Sequence, residues 1–298
     1  MSEAVIQTLP LAAKDAARLA SRFGISIHEI DLHRFPDGEL RVTVGAAAAT
    51  TIIYAPLDQP NDKLLAILFA AEALRREGVL RLVLVAPYLC YMRQDAAFHK
   101  GEAISQRVVG PLLAGSFDRV ITVDAHLHRT KNIEDIFPGI EADDLSAMPV
   151  IAKALHAGGL NSDTLVVGPD EESGPWVGDL AGRLGLKHVV GCKTRRGDRA
   201  VEITFADPAL FKDRPVLLVD DIVSSGGTLI ACAKALVAAG AIAVDAVITH
   251  ALFPPEMTQV FLSAGLRSIR STSSVPHPTN AIALDDVLAD ALRKEICA

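Results

Sequence analysis

Short apolar runs recur along this chain at intervals that leave room for one helix between each pair. Residues 52–55, 82–86 and 120–123 are such runs. Asn61 reads as the cap of a helix that continues to about Arg76, and residues 104–113 have the pattern of the next helix. Runs that are apolar throughout, rather than alternating, belong to strands buried on both faces, as parallel strands under helices are. A β-then-α rhythm of this kind predicts the α/β class, with parallel sheets flanked by helices.

The second half keeps the rhythm. Residues 165–167 read as a strand, Pro175 suits the first turn of a helix, and Val189 and Val190 lie in a short strand. Residues 201–205 alternate like a strand, and 216–219 are continuously apolar. Residues 229–239 form a helix ended by Gly240, 243–249 a strand, and 285–294 a closing helix. Val120-Ile121-Thr122-Val123-Asp124 parallels Val216-Leu217-Leu218-Val219-Asp220, and Pro87 follows one strand as Pro169 follows another. These echoes predict a duplication with two similar domains, residues 1–145 and 146–298. The alanine run at 46–49 reads as a turn between strands.

The 298 residues are half apolar, enough for a sizeable core, and 22% charged, close to the globular average. A net charge of -7 argues against a nucleic-acid partner, which would call for a basic surface. Cys90, Cys192, Cys232 and Cys297 form no CxxC pair and read as free thiols of a reducing compartment. No basic flank followed by an apolar run opens the sequence, and no stretch of about 18 uncharged apolar residues could span a membrane. The expected location is the cytoplasm, with no membrane partner.

The strongest local signal is the strand ending in Asp220-Asp221, followed by Ile222-Val223-Ser224-Ser225-Gly226-Gly227-Thr228 and a helix. Ligands of open α/β sheets bind at the carboxyl ends of strands. Gly226 and Gly227 let backbone N–H groups approach an anion, and the helix N-terminus adds partial positive charge. Ser224, Ser225 and Thr228 can donate to phosphate. Two acids beside an anion site make sense if they accept from ribose hydroxyls or approach a Mg²⁺ ion; a capped strand–helix turn is the plainer reading.

This string resembles the ribose-phosphate loop of type I phosphoribosyltransferases and of ribose-phosphate pyrophosphokinases. Four further segments resemble the pyrophosphokinases, nearer their archaeal-type members, in the order expected of that family. Phe35-Pro36-Asp37-Gly38-Glu39, alone no more than a turn before a strand, matches residues that reach a neighbouring subunit's ATP site. Pro87-Tyr88-Leu89-Cys90-Tyr91-Met92-Arg93-Gln94-Asp95 carries an Arg–Gln pair that contacts ATP, to which the planar, permanently charged guanidinium is suited. Its continuation, residues 98–105, resembles a mobile active-site loop; Lys100 there is a candidate ATP contact or a solvated lysine. In Val123-Asp124-Ala125-His126-Leu127-His128, the resemblance assigns His126 to the Mg²⁺–ATP unit and leaves His128 without a role. Cys192-Lys193-Thr194-Arg195-Arg196 places Lys193 and Arg195 at alternate positions of an extended segment, two cations toward one side; the alternative is an exposed basic turn. In the family this Lys-x-Arg pair stabilises the transferring pyrophosphoryl group.

Pro169-Asp170 also matches, with the acid near ribose or metal. The chain departs from the family at Glu171-Glu172-Ser173-Gly174, where small residues are usual, and at Ser224, where the bacterial and mammalian type has an acid. The resemblance implies two phosphoribosyltransferase-like domains, Mg²⁺ as cofactor, and ATP and ribose 5-phosphate as substrates. Lys193 and Arg195 are then catalytic. Phe35, Asp37, Gly38, Glu39, Arg93 and Gln94 hold ATP. Arg195, Asp220, Asp221, Ser224, Ser225, Gly226, Gly227 and Thr228 hold the sugar phosphate, and His126 and Asp170 the metal. It also implies a homo-oligomer, dimer or higher, with ATP at a subunit interface. The competing readings are a type I phosphoribosyltransferase and a non-catalytic regulatory relative.

Overall fold

The computed structural model describes residues 4–127, 129–130, 132–196 and 200–297, with backbone alone for Arg195, Arg196, Ala200 and Val201. The elements run β1 (Ala4–Thr8), α1 (Ala13–Phe23), β2 (Ser26–Glu29), β3 (Asp31–Arg34), β4 (Leu40–Thr43), β5 (Thr50–Tyr54), α2 (Pro60–Arg76), β6 (Arg81–Ala86), α3 (Gln106–Ala114), β7 (Arg119–Val123) and β8 (Glu141–Leu145). Then come α4 (Met148–Ala157), β9 (Leu165–Gly168), α5 (Gly174–Leu184), β10 (His188–Val190), β11 (Cys192–Arg196), β12 (Ala200–Thr204), β13 (Pro215–Val223), α6 (Gly227–Ala238), β14 (Ala243–Ala251), α7 (Met257–Ser263), β15 (Ser268–Thr272), β16 (Asn280–Ile282) and α8 (Asp285–Ile296).

They form two compact units. One holds the residues up to 146 with 274–276 and 285 onward; the other holds 147–273 and 277–284. The first unit has a six-stranded sheet in the order β2-β1-β5-β6-β7-β8, parallel throughout. The second has β10-β9-β13-β14-β15-β16, again parallel throughout. Each also carries a two-stranded antiparallel hairpin, β3–β4 in one and β11–β12 in the other. The α/β architecture and the internal repeat are therefore both present. The pairing of the repeat is different from the one the local echoes suggest. By sheet position β13 matches β5, and β7 matches β15, so the Val120–Asp124 and Val216–Asp220 runs are similar strands at non-equivalent places. Every buried parallel strand asks for the same apolar residues, and that similarity does not fix sheet position.

The core of each unit lies between its sheet and the helices. In the first, Ile53, Leu82, Leu84 and Val120 pack with Ile67, Ala70 and Leu74 of α2 and Leu113 of α3. In the second, Leu165, Val167, Val216 and Leu218 pack with Leu229, Cys232 and Leu236 of α6. Helix α2 starts one residue before the expected Asn61 cap, because Pro60 occupies the first turn, where its missing N–H costs nothing.

The closing helix belongs to the first unit, although it follows the whole second half in sequence. Leu288, Ala289 and Leu292 of α8 are buried there. Asp285 and Asp286 at its start pair with Arg18 and Arg22 of α1. Near its end Glu295 lies 2.9 Å from both Arg81 and Arg119. Arg119 is only 2% exposed, and it also meets Asp143 at 2.7 Å and the Ala291 carbonyl oxygen at 3.1 Å. Burial would raise the Glu295 carboxyl, but the hydrogen bonds from Arg81 and Arg119 outweigh it and hold the group below its ordinary range.

Removing Glu295 leaves a buried guanidinium short of its counter-charge. Glu295→Ala is expected to lower unfolding stability by about 3 kcal/mol, as loss of one partner of a buried pair does. Lys294→Ala, which removes the exposed pair with Glu141, is expected to cost under about 1 kcal/mol. Urea unfolding of the two variants measures this. Because the folded carboxyl is depressed, the Glu295 contribution is complete above the ordinary glutamate value of about 4.3 and is lost as pH falls through the folded value.

Candidate functional site

Strand β13 runs past the two acids to Val223, longer than its apolar stretch, because it stays in register with β14 as far as the Val223–Ala251 pair. Asp220 is half-buried and Asp221 buried. A three-residue turn then leads to α6, whose N-cap Gly226 has φ +76. A Cβ at 226 would sit 2.4 Å from the ring of Phe261, which is fully buried. Glycine is required there twice over, by the left-handed backbone and by the ring. Ser225 and Gly227 are exposed, and Ser224 and Thr228 half-buried. Among the described residues none occupies the hydroxyls of Ser224, Ser225 or Thr228. Free hydroxyls and unpaired N–H groups at a helix start form an anion cradle.

Asp170 and Lys193 stand beside the acids. Asp170 follows β9, and its carboxylate accepts from the Ser173 N–H at 3.3 Å while the Ser173 hydroxyl donates back to the Asp170 carbonyl oxygen at 2.5 Å. Lys193 lies on hairpin strand β11, opposite Ile203, and its Nζ is 2.9 Å from Asp170 Oδ2. The departure at Glu171–Ser173 is a short 3-10 turn, with both glutamates exposed and Ser173 buried. Removal from water pushes the Asp220 carboxyl well above the ordinary range; Asp221 and Asp170 push it the same way, and Lys193 opposes them. The field reaches into the core, since the buried thiol of Cys232 is raised first by burial and then by Asp220 and Asp170.

This donor set suits a hard divalent cation. Side-by-side carboxylate oxygens that cannot all ionise cheaply are what such an ion neutralises. Among the described residues no three His, Cys, Asp or Glu side chains converge tightly enough to hold an ion unaided. Mg²⁺ keeps several waters and substrate oxygens, so one or two protein carboxylates suffice.

The remaining candidates lie in the first unit. Phe35 to Glu39 form the tip of the β3–β4 hairpin, closed by Phe35 N–H to the Glu39 carbonyl oxygen at 2.9 Å, with Gly38 at φ +96. Every residue of the tip is exposed. Arg34 steadies it by pairing with Asp62 and donating to the Gly38 carbonyl oxygen. Arg93 is exposed and without a side-chain partner among the described residues. Gln94 accepts from the Ser105 hydroxyl at 2.5 Å. His126 is half-buried two residues after Asp124, which holds a left-handed backbone at φ 42. Strain of that kind collects where function holds it in place. The Arg195 backbone pairs with Val201 in the β11–β12 hairpin, while its side chain, like His128, lies outside the described residues. Thus Asp170, Lys193, Asp220, Asp221 and the 224–228 turn are gathered in one unit, and Phe35–Glu39, Arg93, Gln94 and His126 belong to the other. Sequence reading missed Phe261, the ring behind Gly226, since nothing near residue 261 signals it.

A carboxyl whose folded pKa is raised contributes stability only below its unfolded value of about 3.9, and that contribution is lost as pH rises through the folded value. Ionised Asp220 therefore costs the ligand-free fold stability at neutral pH. Asp220→Asn is expected to raise the ligand-free melting temperature at pH 7, with the gain shrinking toward pH 4. Calorimetry across that range measures it, and an unchanged or lower melting temperature at pH 7 contradicts the charge crowding described here.

Comparison with known proteins bears on both units. Residues 6–116 match the family model of the N-terminal domain of ribose phosphate pyrophosphokinase, and residues 147–265 match the phosphoribosyl transferase domain. A ribose-phosphate pyrophosphokinase of Methanopyrus kandleri is 30% identical over 92% of this chain and 94% of its own length. One from Thermococcus kodakarensis is 31% identical over 88% of this chain and 91% of its own. The crystal structure of phosphoribosylpyrophosphate synthetase from Mycobacterium smegmatis shares the fold, with a TM-score of 0.85 over 98% of each chain at 22% identity. With both domain models matched in order and archaeal relatives aligned along nearly its whole length, the chain belongs to the ribose-phosphate pyrophosphokinase family.

Proposed function

We propose that this chain transfers the β,γ-pyrophosphoryl group of ATP to the 1-hydroxyl of ribose 5-phosphate, giving phosphoribosyl pyrophosphate and AMP. The observation that carries the reading is the gathering, at the carboxyl ends of the neighbouring strands β9 and β13, of a phosphate cradle, three acids and a lysine. A phosphorylated sugar needs an anion site at one end and hydroxyl acceptors a few ångströms away, and this turn offers both.

The 5-phosphate is assigned to the N–H groups and hydroxyls of Ser224 to Thr228. Asp220 and Asp221 accept from the 2- and 3-hydroxyls, directly or through the cation, and Arg195 assists on the sugar side. Mg²⁺ would supply charge neutralisation on the polyphosphate, with His126 as the proposed contact in the first unit and Asp170 in the second. ATP is assigned to Arg93 and Gln94, with Phe35, Asp37, Gly38 and Glu39 completing the adenine side from a neighbouring subunit. An exposed hairpin tip is suited to that reach.

In the reaction the 1-oxygen bonds to the β-phosphorus, the bond from that phosphorus to the α,β-bridging oxygen breaks, and the 1-hydroxyl proton is released. Such transfers depend on positioning and charge more than on covalent help. Lys193 and Arg195 place positive charge where the transferring group gathers negative charge. Until substrate arrives Lys193 is held by Asp170, so it is already oriented.

A homo-oligomer, dimer or higher, follows from the shared ATP site. It is supported by apolar pairs left exposed at i,i+4 spacing on two helices, Leu65 and Phe69 on α2 and Val108 and Leu112 on α3. No described helix is long and apolar enough to cross a membrane, and a cytoplasmic location accords with that.

Lys193→Ala is expected to lower turnover by about 10² to 10³ while leaving the KM for ATP little changed, as loss of a charged transition-state contact does. Release of AMP from ATP and ribose 5-phosphate, with Mg²⁺ present, measures it. Wild-type turnover in this variant removes Lys193 from the mechanism, and no AMP from the unaltered chain defeats the assignment altogether.

A further inference from the structure

The chain leaves β6, passes Arg93 and Gln94, and returns at Gln106 to start α3. The two ends of this excursion are joined. Gln94 Oε1 accepts from the Ser105 hydroxyl at 2.5 Å, and the Gln94 carbonyl oxygen accepts from Gln106 N–H at 3.3 Å. Inside the loop the Glu102 carboxylate accepts from the backbone N–H groups of Phe98 and His99 at 2.7 and 2.9 Å, and it meets His99 Nδ1 at 2.5 Å. The loop thus has a fold of its own but little burial. Phe98 and His99 are exposed. Segments with few apolar contacts open locally at small free-energy cost.

What ties this loop to the body of the unit comes from the segment after β7. Arg129 Nη1 lies 2.7 Å from Asp95 Oδ1, and the Asp95 side chain is only 4% exposed. The same guanidinium stands 5.4 Å from the centroid of the Phe98 ring. The next residue, Thr130, donates through its hydroxyl to Gln106 Oε1 at 3.1 Å. Arg129 therefore grips the loop at two points, and Thr130 holds its far end. The Arg129 side chain is 55% exposed, so the ion pair alone is modest, and the cation over the ring adds to it. Asp95, Arg107, Arg129 and Asp135 rim a groove of about 720 Å³, so no dense packing stands ready to replace the contact. Arg129 also follows His126 by three residues, so one side chain links the segment carrying His126 to the segment carrying Arg93 and Gln94.

We propose that Arg129 is a positioning residue that holds loop 94–106 in the form presenting Arg93 and Gln94. The proposal rests on the assignment of those two residues to ATP. Arg129 itself acts through Asp95 and Phe98. Only an arginine meets both at once, since its planar head can pair with a carboxylate at its edge and face a ring with its plane.

The test compares Arg129→Ala, Arg129→Lys and Phe98→Ala with the unaltered chain by amide hydrogen exchange and by steady-state AMP release. In Arg129→Ala the amides of Phe98, His99, Glu102 and Gln106 are expected to exchange about tenfold faster, with the sheet amides unchanged. The KM for ATP is expected to rise by about tenfold, with kcat moving by less than about threefold and the KM for ribose 5-phosphate unchanged. Arg129→Lys keeps the ion pair and is expected to recover part of both effects; Phe98→Ala, which spares the ion pair, is expected to fall between Arg129→Ala and the unaltered chain. Loop exchange and KM for ATP within about twofold of wild type in Arg129→Ala overturn the proposal, as does a loss confined to kcat. The exchange arm needs no turnover. An unaltered chain inactive on ATP and ribose 5-phosphate sinks the functional assignment, while the exchange result still decides whether Arg129 holds the loop.

Discussion

Among the described side chains, three carboxylates and one ammonium share the carboxyl end of the second sheet, and the crowding of the acids governs what that site can do. Asp170 is matched by Lys193 at 2.9 Å, and the Asp220 carboxyl is crowded by both Asp221 and Asp170. Removal from water makes the remaining charge expensive, and the Asp220 carboxyl responds by resisting ionisation. A ligand that brings positive charge relieves this; one that brings only phosphate satisfies the helix N-terminus and adds negative charge beside the acids. In the proposed function, cation and sugar phosphate would thus address different parts of the same turn. Each improves the electrostatic setting for the other, which is a coupling free energy and works in both directions.

Much of the fold was legible in the sequence because buried parallel strands announce themselves. β5, β6, β7, β13 and β14 are apolar runs bounded by polar residues, and each was read within a few positions. Three strands in the first fifty residues went unread. β2 and β3 are short and half-exposed, so their composition carries little of the burial signal, while β1 is fully buried but holds only three consecutive apolar residues. The return of α8 to the first unit was not legible either. Its acidic start and basic end describe a good helix, but its partners Arg18, Arg81 and Arg119 lie some two hundred residues away in sequence. Helical pattern states which face is buried and is silent on what buries it.

The candidate site divides along the same line. The strand, the acid pair and the glycine turn are contiguous, so a reader of residues 216–228 sees the strand–turn–helix geometry directly. Asp170 and Lys193 were found by resemblance, and their direct contact joins residues 23 positions apart through a hairpin. The reason Gly226 cannot be replaced was only half visible. A left-handed cap is expected of glycine, whereas the Phe261 ring behind it arrives from α7. The link between Arg129 and Asp95 spans 34 positions and matches no motif. Such contacts are set by how loops fall together over a sheet, and a single sequence does not encode them in any local period.

The internal repeat shows how one scaffold can carry different chemistry at equivalent turns. Helices α2 and α6 follow the equivalent strands β5 and β13, and both begin on a left-handed N-cap, Gln59 at φ 47 and Gly226 at φ 76. The backbone route is shared, but the chemistry on it is not. After β5 comes Ala55-Pro56-Leu57-Asp58 with Pro60 in the first helical turn, and a proline there removes an N–H that an anion would need. Gln59 carries a side chain at its left-handed φ, whereas residue 226 has no room for one. The first unit offers no phosphate cradle at this turn, and its candidate ligand residues follow β6 and β7 instead. Open α/β sheets present ligand sites along all their carboxyl ends. Two copies of the same sheet can therefore bind different substrates by loading different strands, with no change of topology.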